Sequence, residues 1–195
     1  MLWSEFIKSF ITLFIIIDPF VSAVYFITIS KNMTAKESNK SIWTAILVAA
    51  GLLVIFLFSG LYLLNMLGIS FNGFMIAGGI ILLIMGVTTV LAIDYASKAE
   101  HTKSAAILIG TPLLSGPGAL TTIIILSKNY GYIVPGLAAL AVIIVSFFIL
   151  KFAHHVHKWL GSEIIEILSK VLGLLLAALA VDFIQQGIVG FIRGG

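Results

Sequence analysis

Residues 113–120 read "LLSGPGAL" and lie inside a run of 24 uncharged residues between Lys103 and Lys128. A run of that length is what a membrane-crossing helix requires, since about 20 apolar residues span a bilayer. Yet the same run holds Pro112, Gly116, Pro117 and Gly118, the residue types a helix tolerates least. In lipid, each backbone amide or carbonyl left without a partner costs several kcal/mol. A break at this depth is viable only where neighbouring helices, water or a ligand take up the freed groups. The half-helix beginning near Pro117 offers amides and the positive end of its dipole, and the half-helix ending near Ser115 offers carbonyls. One end suits a carboxylate and the other a cation or ammonium, so the break reads as a binding site.

The rest of the chain supplies the membrane context. Of its 195 residues, 61% are hydrophobic and 10% charged, with a mean hydropathy of +1.19. A water-soluble domain of this size could not hide so much apolar surface, and an all-α polytopic membrane protein follows. Lys40 and Asp94 enclose 53 uncharged residues, which the polar break "NMLGISFNG" (Asn65 to Gly73) divides into two spans. Charged residues delimit the others, and six helices are expected over 7–29, 42–65, 72–93, 104–127, 131–152 and 164–191. The first lacks a small-residue cleavage site and is interrupted by Asp18-Pro19, so it reads as a retained helix rather than a secretory signal.

Cysteine is absent, which excludes disulfides and thiolate metal sites; no cofactor is expected. The net charge of +3 is small and dispersed among loops, which argues against nucleic acid. The loops after helices one, three and five carry Lys31, Lys36, Lys40, Lys98, Lys103, Lys151 and Lys158, against Lys8, Lys128 and Arg193 on the other side. The positive-inside rule then places both termini outside the cytoplasm of a plasma-membrane protein. Trp3, Trp43, Trp159, Tyr130 and Tyr132 fall near span ends, where interfacial aromatics belong.

The chain repeats itself at an offset of about 97 residues. "ISKN" at 29–32 is echoed by "LSKN" at 126–129, Asp18-Pro19 by Gly116-Pro117, and "IAGGIILLI" at 76–84 by "VLGLLLAAL" at 171–179. With three helices per half, 1–97 and 98–195, the second half must insert upside down. Inverted repeats with matched helix breaks are a recurrent transporter design. Helices one and four are both interrupted near the middle of their runs, hence near the bilayer midplane.

Asp18 and Asp182 are the only ionisable residues deep in the spans. An acid at that depth normally faces a cavity or a partner, so both are candidates for ammonium binding or for coupling to protons or sodium. The expected substrate site comprises Asp18, Pro19 and Ser22 from helix one with Thr111, Ser115, Gly116, Pro117, Gly118, Ala119 and Thr121 from helix four. His154, His155 and His157 read as interfacial residues of the last cytoplasmic loop. Gly78, Gly79 and Gly173 read as points of close helix packing, and small residues in helices three and six would also serve a homo-oligomeric contact.

At these residues the sequence resembles the MarC family of six-helix membrane proteins, which includes small neutral amino acid transporters. The resemblance rests on "IDPF" in helix one, "IAGGIILLIMG" in helix three, "PLLSGPGAL" in helix four and "GLLLAALAVDF" in helix six. It implies a transport fold with inverted repeats, discontinuous first and fourth helices, and cargo such as glycine or alanine. The chain departs from the family pattern after Asp18-Pro19: Val21, Ser22 and Val24 stand where Gly, Asn and a further Pro are usual. Asp182 stands where the family tends to carry Gln.

The function expected is secondary active transport of a small zwitterion between helices one and four, with no enzymatic activity. An intramembrane aspartyl hydrolase using Asp18 and Asp182 is the alternative from another class, because such chemistry needs two acids at membrane depth. Neither aspartate has a Gly-rich catalytic setting, and no histidine lies within a span to serve a Ser115 nucleophile. An ion channel is a third reading, without a repeated selectivity loop to carry it. No Walker motif is present to bind ATP.

Overall fold

A computed structural model describes residues 2–31, 33–91 and 114–193. Every regular element among them is helical: α1 (Leu2–Ile17), α2 (Pro19–Ser30), α3 (Ala35–Met66), α4 (Phe71–Val90), α5 (Pro117–Tyr130), α6 (Ile133–Lys151) and α7 (Ala153–Arg193). Five stretches among the described residues are long and apolar enough to cross a membrane. They are Leu2–Thr28, Ala35–Met66, Phe71–Val90, Ile133–Lys151 and Glu163–Arg193. The first runs through α1 and α2 together. Of the expected fourth span, 104–127, residues 104–113 lie outside the described residues, and α5 accounts for the remainder.

Local chemistry sets the helix ends. Thr34 and Glu37 close a capping box at the start of α3, the Thr34 amide donating to Glu37 Oε2 at 2.8 Å and the Glu37 amide to Thr34 Oγ1 at 3.3 Å. The polar break between the second and third spans is a Schellman turn. The Ile69 amide donates to the Leu64 carbonyl (2.9 Å) and the Gly68 amide to the Asn65 carbonyl (3.1 Å), with Gly68 left-handed at φ 67°. Ser70 then caps α4 by accepting from the Gly73 amide at 3.1 Å. Gly161 (φ 75°) kinks α7. The three histidines therefore sit on a helical segment ahead of that kink rather than in the loop expected from sequence.

The short helix α5 is the centre of the molecule. It packs against α1, α3, α4 and α6, and Gly118, Ala119 and the run from Thr121 to Ser127 are buried. The outer helices instead expose large apolar side chains such as Leu47, Phe58, Leu140 and Leu174. In water such a surface would drive aggregation; in hydrocarbon it is the face a membrane protein needs.

Glycines let the helices approach, as the small-residue pattern predicts. A Cβ on Gly86 would lie 2.7 Å from the Ala177 nitrogen, one on Gly79 2.8 Å from the Ala180 carbonyl oxygen, and one on Gly187 2.8 Å from the Asn72 carbonyl oxygen. Gly173 likewise meets Thr89 and the Gly86 carbonyl. The partners run in opposite order along the two chains, so α4 and α7 form one continuous antiparallel seam. Gly78 performs a separate task, since a Cβ there would collide with the Thr121 Cγ2 methyl of α5.

Candidate functional site

The helical run through α1 and α2 is interrupted at one residue. Asp18 adopts φ 39°, ψ 74°, the sole positive φ of a non-glycine residue among the described residues. The Asp18 amide still donates to the Phe14 carbonyl (3.1 Å), and the Ser22 amide to the Asp18 carbonyl (3.2 Å). Between those two bonds the i to i−4 ladder fails in three consecutive rungs. Pro19 has no amide to offer Ile15. The amides of Phe20 and Val21, which would serve Ile16 and Ile17, turn to the Asp18 carboxylate, Val21 at 3.2 Å. The carbonyls of Ile15, Ile16 and Ile17 thus lose their helical donors in a buried place, where the three side chains are at most 7% exposed.

Asp18 is therefore an N-cap, with Pro19 at the first helical position. Its carboxylate is committed to the positive end of α2. The break leaves a cluster of three carbonyls behind it, at Ile15, Ile16 and Ile17, which the sequence reading did not single out. The lost donor of Ile15 was legible from Pro19 alone; the other two depended on where the Asp18 side chain turned.

At α5 the same dipeptide position holds Gly116-Pro117. Gly116 is the N-cap, extended at φ −63°, ψ 174°, and brings no side chain to cap the helix. The first rung joins the Leu120 amide to the Gly116 carbonyl at 3.1 Å, so the amides of Gly118 and Ala119 lie ahead of the ladder. Ser115 (2% exposed), Gly116, Gly118 and Ala119 are buried, whereas Pro117 is exposed. The break at Asp18 adjoins the start of α5: a Cβ on Gly118 would lie 3.5 Å from Ile16 Cγ2 and 2.5 Å from Leu82 Cδ2 of α4.

The remaining expected residues divide. Ser22 is 1% exposed and its hydroxyl has no partner among the described residues; Thr122 of α5 and Ser9 of α1 share that condition. Thr121 faces α4 at Gly78 and serves packing. Thr111 lies outside the described residues. Asp182 lines a cavity of about 360 Å³ among α1, α5 and α7, with Lys8, Thr12, Asn129 and Gln186, and Asp18 is not in its lining. The two aspartates therefore do not share this cavity.

Comparison with known proteins places this architecture. The family model described as MarC family integral membrane protein matches residues 3–192. The UPF0056 membrane protein YhcE of Escherichia coli (strain K12) is 31% identical over 200 residues, covering 96% of this chain and 93% of the relative. The UPF0056 membrane protein MJ1677 of Methanocaldococcus jannaschii is 30% identical over 197 residues, covering 95% and 96%. A UPF0056 membrane protein of Archaeoglobus fulgidus is 31% identical over 197 residues, covering 95% and 92%. No solved structure matches. The chain belongs to the MarC family of integral membrane proteins.

Proposed function

We propose that this MarC family membrane protein is a secondary transporter of small neutral amino acids, holding its substrate where α1 ends and α5 begins. The observation that carries the reading is the buried start of α5: a helix N-terminus capped by no side chain, adjoining a helix end that has lost three donors. Helix ends are normally satisfied by caps or water, and buried ones call for a partner. The amides of Gly118 and Ala119 match a carboxylate, and the carbonyls of Ile15, Ile16 and Ile17 match an ammonium. A zwitterion with one carbon between its charges satisfies both ends at once. Ser22 and Thr122 supply further hydroxyls near the two breaks.

In this reading the halves 1–97 and 98–195 are inverted repeats of three spans each. The antiparallel α4–α7 seam favours it, because these are the third helices of the two halves and an isologous contact is what a two-fold relation produces. Both termini lie outside the cytoplasm. Coupling is to protons or sodium, with Asp18 as the coupling group: protonation would weaken the acceptor that holds the Phe20 and Val21 amides, tying the shape of the break to the gradient.

The test is uptake of labelled glycine and alanine into liposomes containing the full chain, under imposed proton or sodium gradients. Gradient-stimulated entry that Asp18→Asn abolishes is the expected result. Absence of entry for both solutes under both gradients would overturn the reading.

A further inference from the structure

The cavity that holds Asp182 is not part of the break site, and its position relative to that site is fixed by the α1–α5 pairing. Ile16 adjoins Gly118, whereas Lys8 and Thr12 share the cavity with Leu126 and Asn129. The two helices run antiparallel, α1 descending toward the break and α5 rising from it. Leu126 stands eight residues beyond Gly118 on one helix, so the cavity lies about 12 Å from the break at 1.5 Å per residue. It is on the side of the membrane where the chain begins.

The lining carries one charge of each sign. Lys8 comes from α1 and Asp182 from α7, and no ion pair joins them; among the described residues the ion pair present is Lys170–Glu166. Asp182 instead accepts from Gln186 Nε2 at 2.6 Å, one turn along its own helix, which orients the carboxylate. Asn129 and Thr12 add donors and acceptors between the two charges. Asp182 and Lys8 are both exposed at this open cavity; a carboxylate within a span is costly unless water or a partner reaches it, and the volume of about 360 Å³ admits a small solute with water around it.

The geometry points to a second solute site in this cavity, a recognition site for a small zwitterion whose ammonium pairs with Asp182 and whose carboxylate pairs with Lys8. A simple anion would meet the uncompensated Asp182, and a simple cation would meet Lys8. An uncharged solute would leave both charges without partners. A molecule that carries both charges satisfies the two walls together. The binding itself is independent of transport; that the cavity is the antechamber of the break site rests on the transport reading above.

The natural absence of cysteine provides the assay. Thr12→Cys and, as a second reporter, Asn129→Cys are labelled in the full-length protein with a water-soluble maleimide, with and without glycine, alanine or leucine. Acetate and methylamine serve as half-ligands. At least one amino acid is expected to slow labelling at both reporters, while acetate and methylamine at equal concentration do not. Adding Lys8→Met or Asp182→Asn is expected to raise the half-protecting concentration roughly tenfold or more, as loss of one charge-assisted contact implies.

The proposal is overturned if neither cysteine reacts, if no amino acid protects, if a half-ligand protects equally well, or if protection survives Asp182→Asn. Protection that persists in protein unable to take up glycine or alanine into liposomes would keep this site and remove the transport reading. Uptake without protection would do the reverse.

Discussion

Asp18 carries two separable burdens, and a short series of substitutions distinguishes them. It holds a left-handed backbone (φ 39°) and its carboxylate accepts amides at the start of α2. Alanine forfeits both. Removing a cap acceptor costs about 0.5–2 kcal/mol, and the left-handed region costs an ordinary residue about 1–2 kcal/mol. Asp18→Ala is therefore expected to lose roughly 1.5–4 kcal/mol. Asp18→Gly adopts the backbone freely and loses only the side chain, at a few tenths of a kcal/mol. Asparagine keeps the Oδ1 acceptor and tolerates positive φ, so Asp18→Asn should stay within about 0.5 kcal/mol of the parent.

Thermal unfolding in detergent, followed by the helical circular dichroism signal, should rank parent and Asn together, then Gly, then Ala. An unchanged Ala variant would show that the break bears no load. An Asn variant as damaged as Ala would show that the carboxylate charge, not the cap geometry, holds the fold, and the description of Asp18 as a cap would fail. Given the expected ranking, loss of gradient-driven uptake in Asp18→Asn isolates the charge as a functional group, because the fold is intact.

Two further expectations concern the frame. Gly86→Ala should destabilise by about 1–3 kcal/mol, because its methyl would press on α7 backbone that cannot rotate away. Gly51→Ala, which meets nothing within 4 Å, should be neutral or gain up to about 1 kcal/mol from helix propensity; equal unfolding temperatures for the two would refute the tight α4–α7 seam. For orientation, Leu2→Cys should react with an impermeant maleimide on intact cells and Asn39→Cys only after permeabilisation; the reverse pattern would place the termini inside.

Much of the frame was legible in the residues themselves. Charge-free runs gave five of the six expected spans among the described residues, and "NMLGISFNG" contained both the left-handed Gly68 that ends α3 and the Ser70 that starts α4. Gly78, Gly79 and Gly173 announced close packing and do supply it. The role of Asp18 was written in the same dipeptide that flagged it, since Asp followed by Pro is a common way to begin a helix; its membrane depth drew attention to charge and away from capping. Other features needed the third dimension. Thr121 points at Gly78 because of how α5 is rotated, and the cavity brings Lys8 to a helix 174 residues later in the chain. The helix start at Pro117 was legible, but its burial beside Ile16 was not.

The two breaks resemble each other in sequence and differ in one atom group that matters. Asp18-Pro19 brings its own acceptor to the freed amides, whereas Gly116-Pro117 brings none. If both starts were capped from within, neither would require a ligand; if neither were capped, the site would present two anion-binding ends and no preference for a zwitterion. One capped and one uncapped start leaves a carbonyl end beside an amide end. This asymmetry is testable by transplanting it. Gly116 has the extended backbone that an N-cap aspartate adopts, so Gly116→Asp should place a carboxylate on the amides of Gly118 and Ala119 and compete with the carboxylate of the substrate. Glycine uptake should fall far more in Gly116→Asp than in Gly116→Ala, which adds the same Cβ without an acceptor. Equal loss in the two variants would mean that space, not the amides ahead of the ladder, is what the start of α5 contributes.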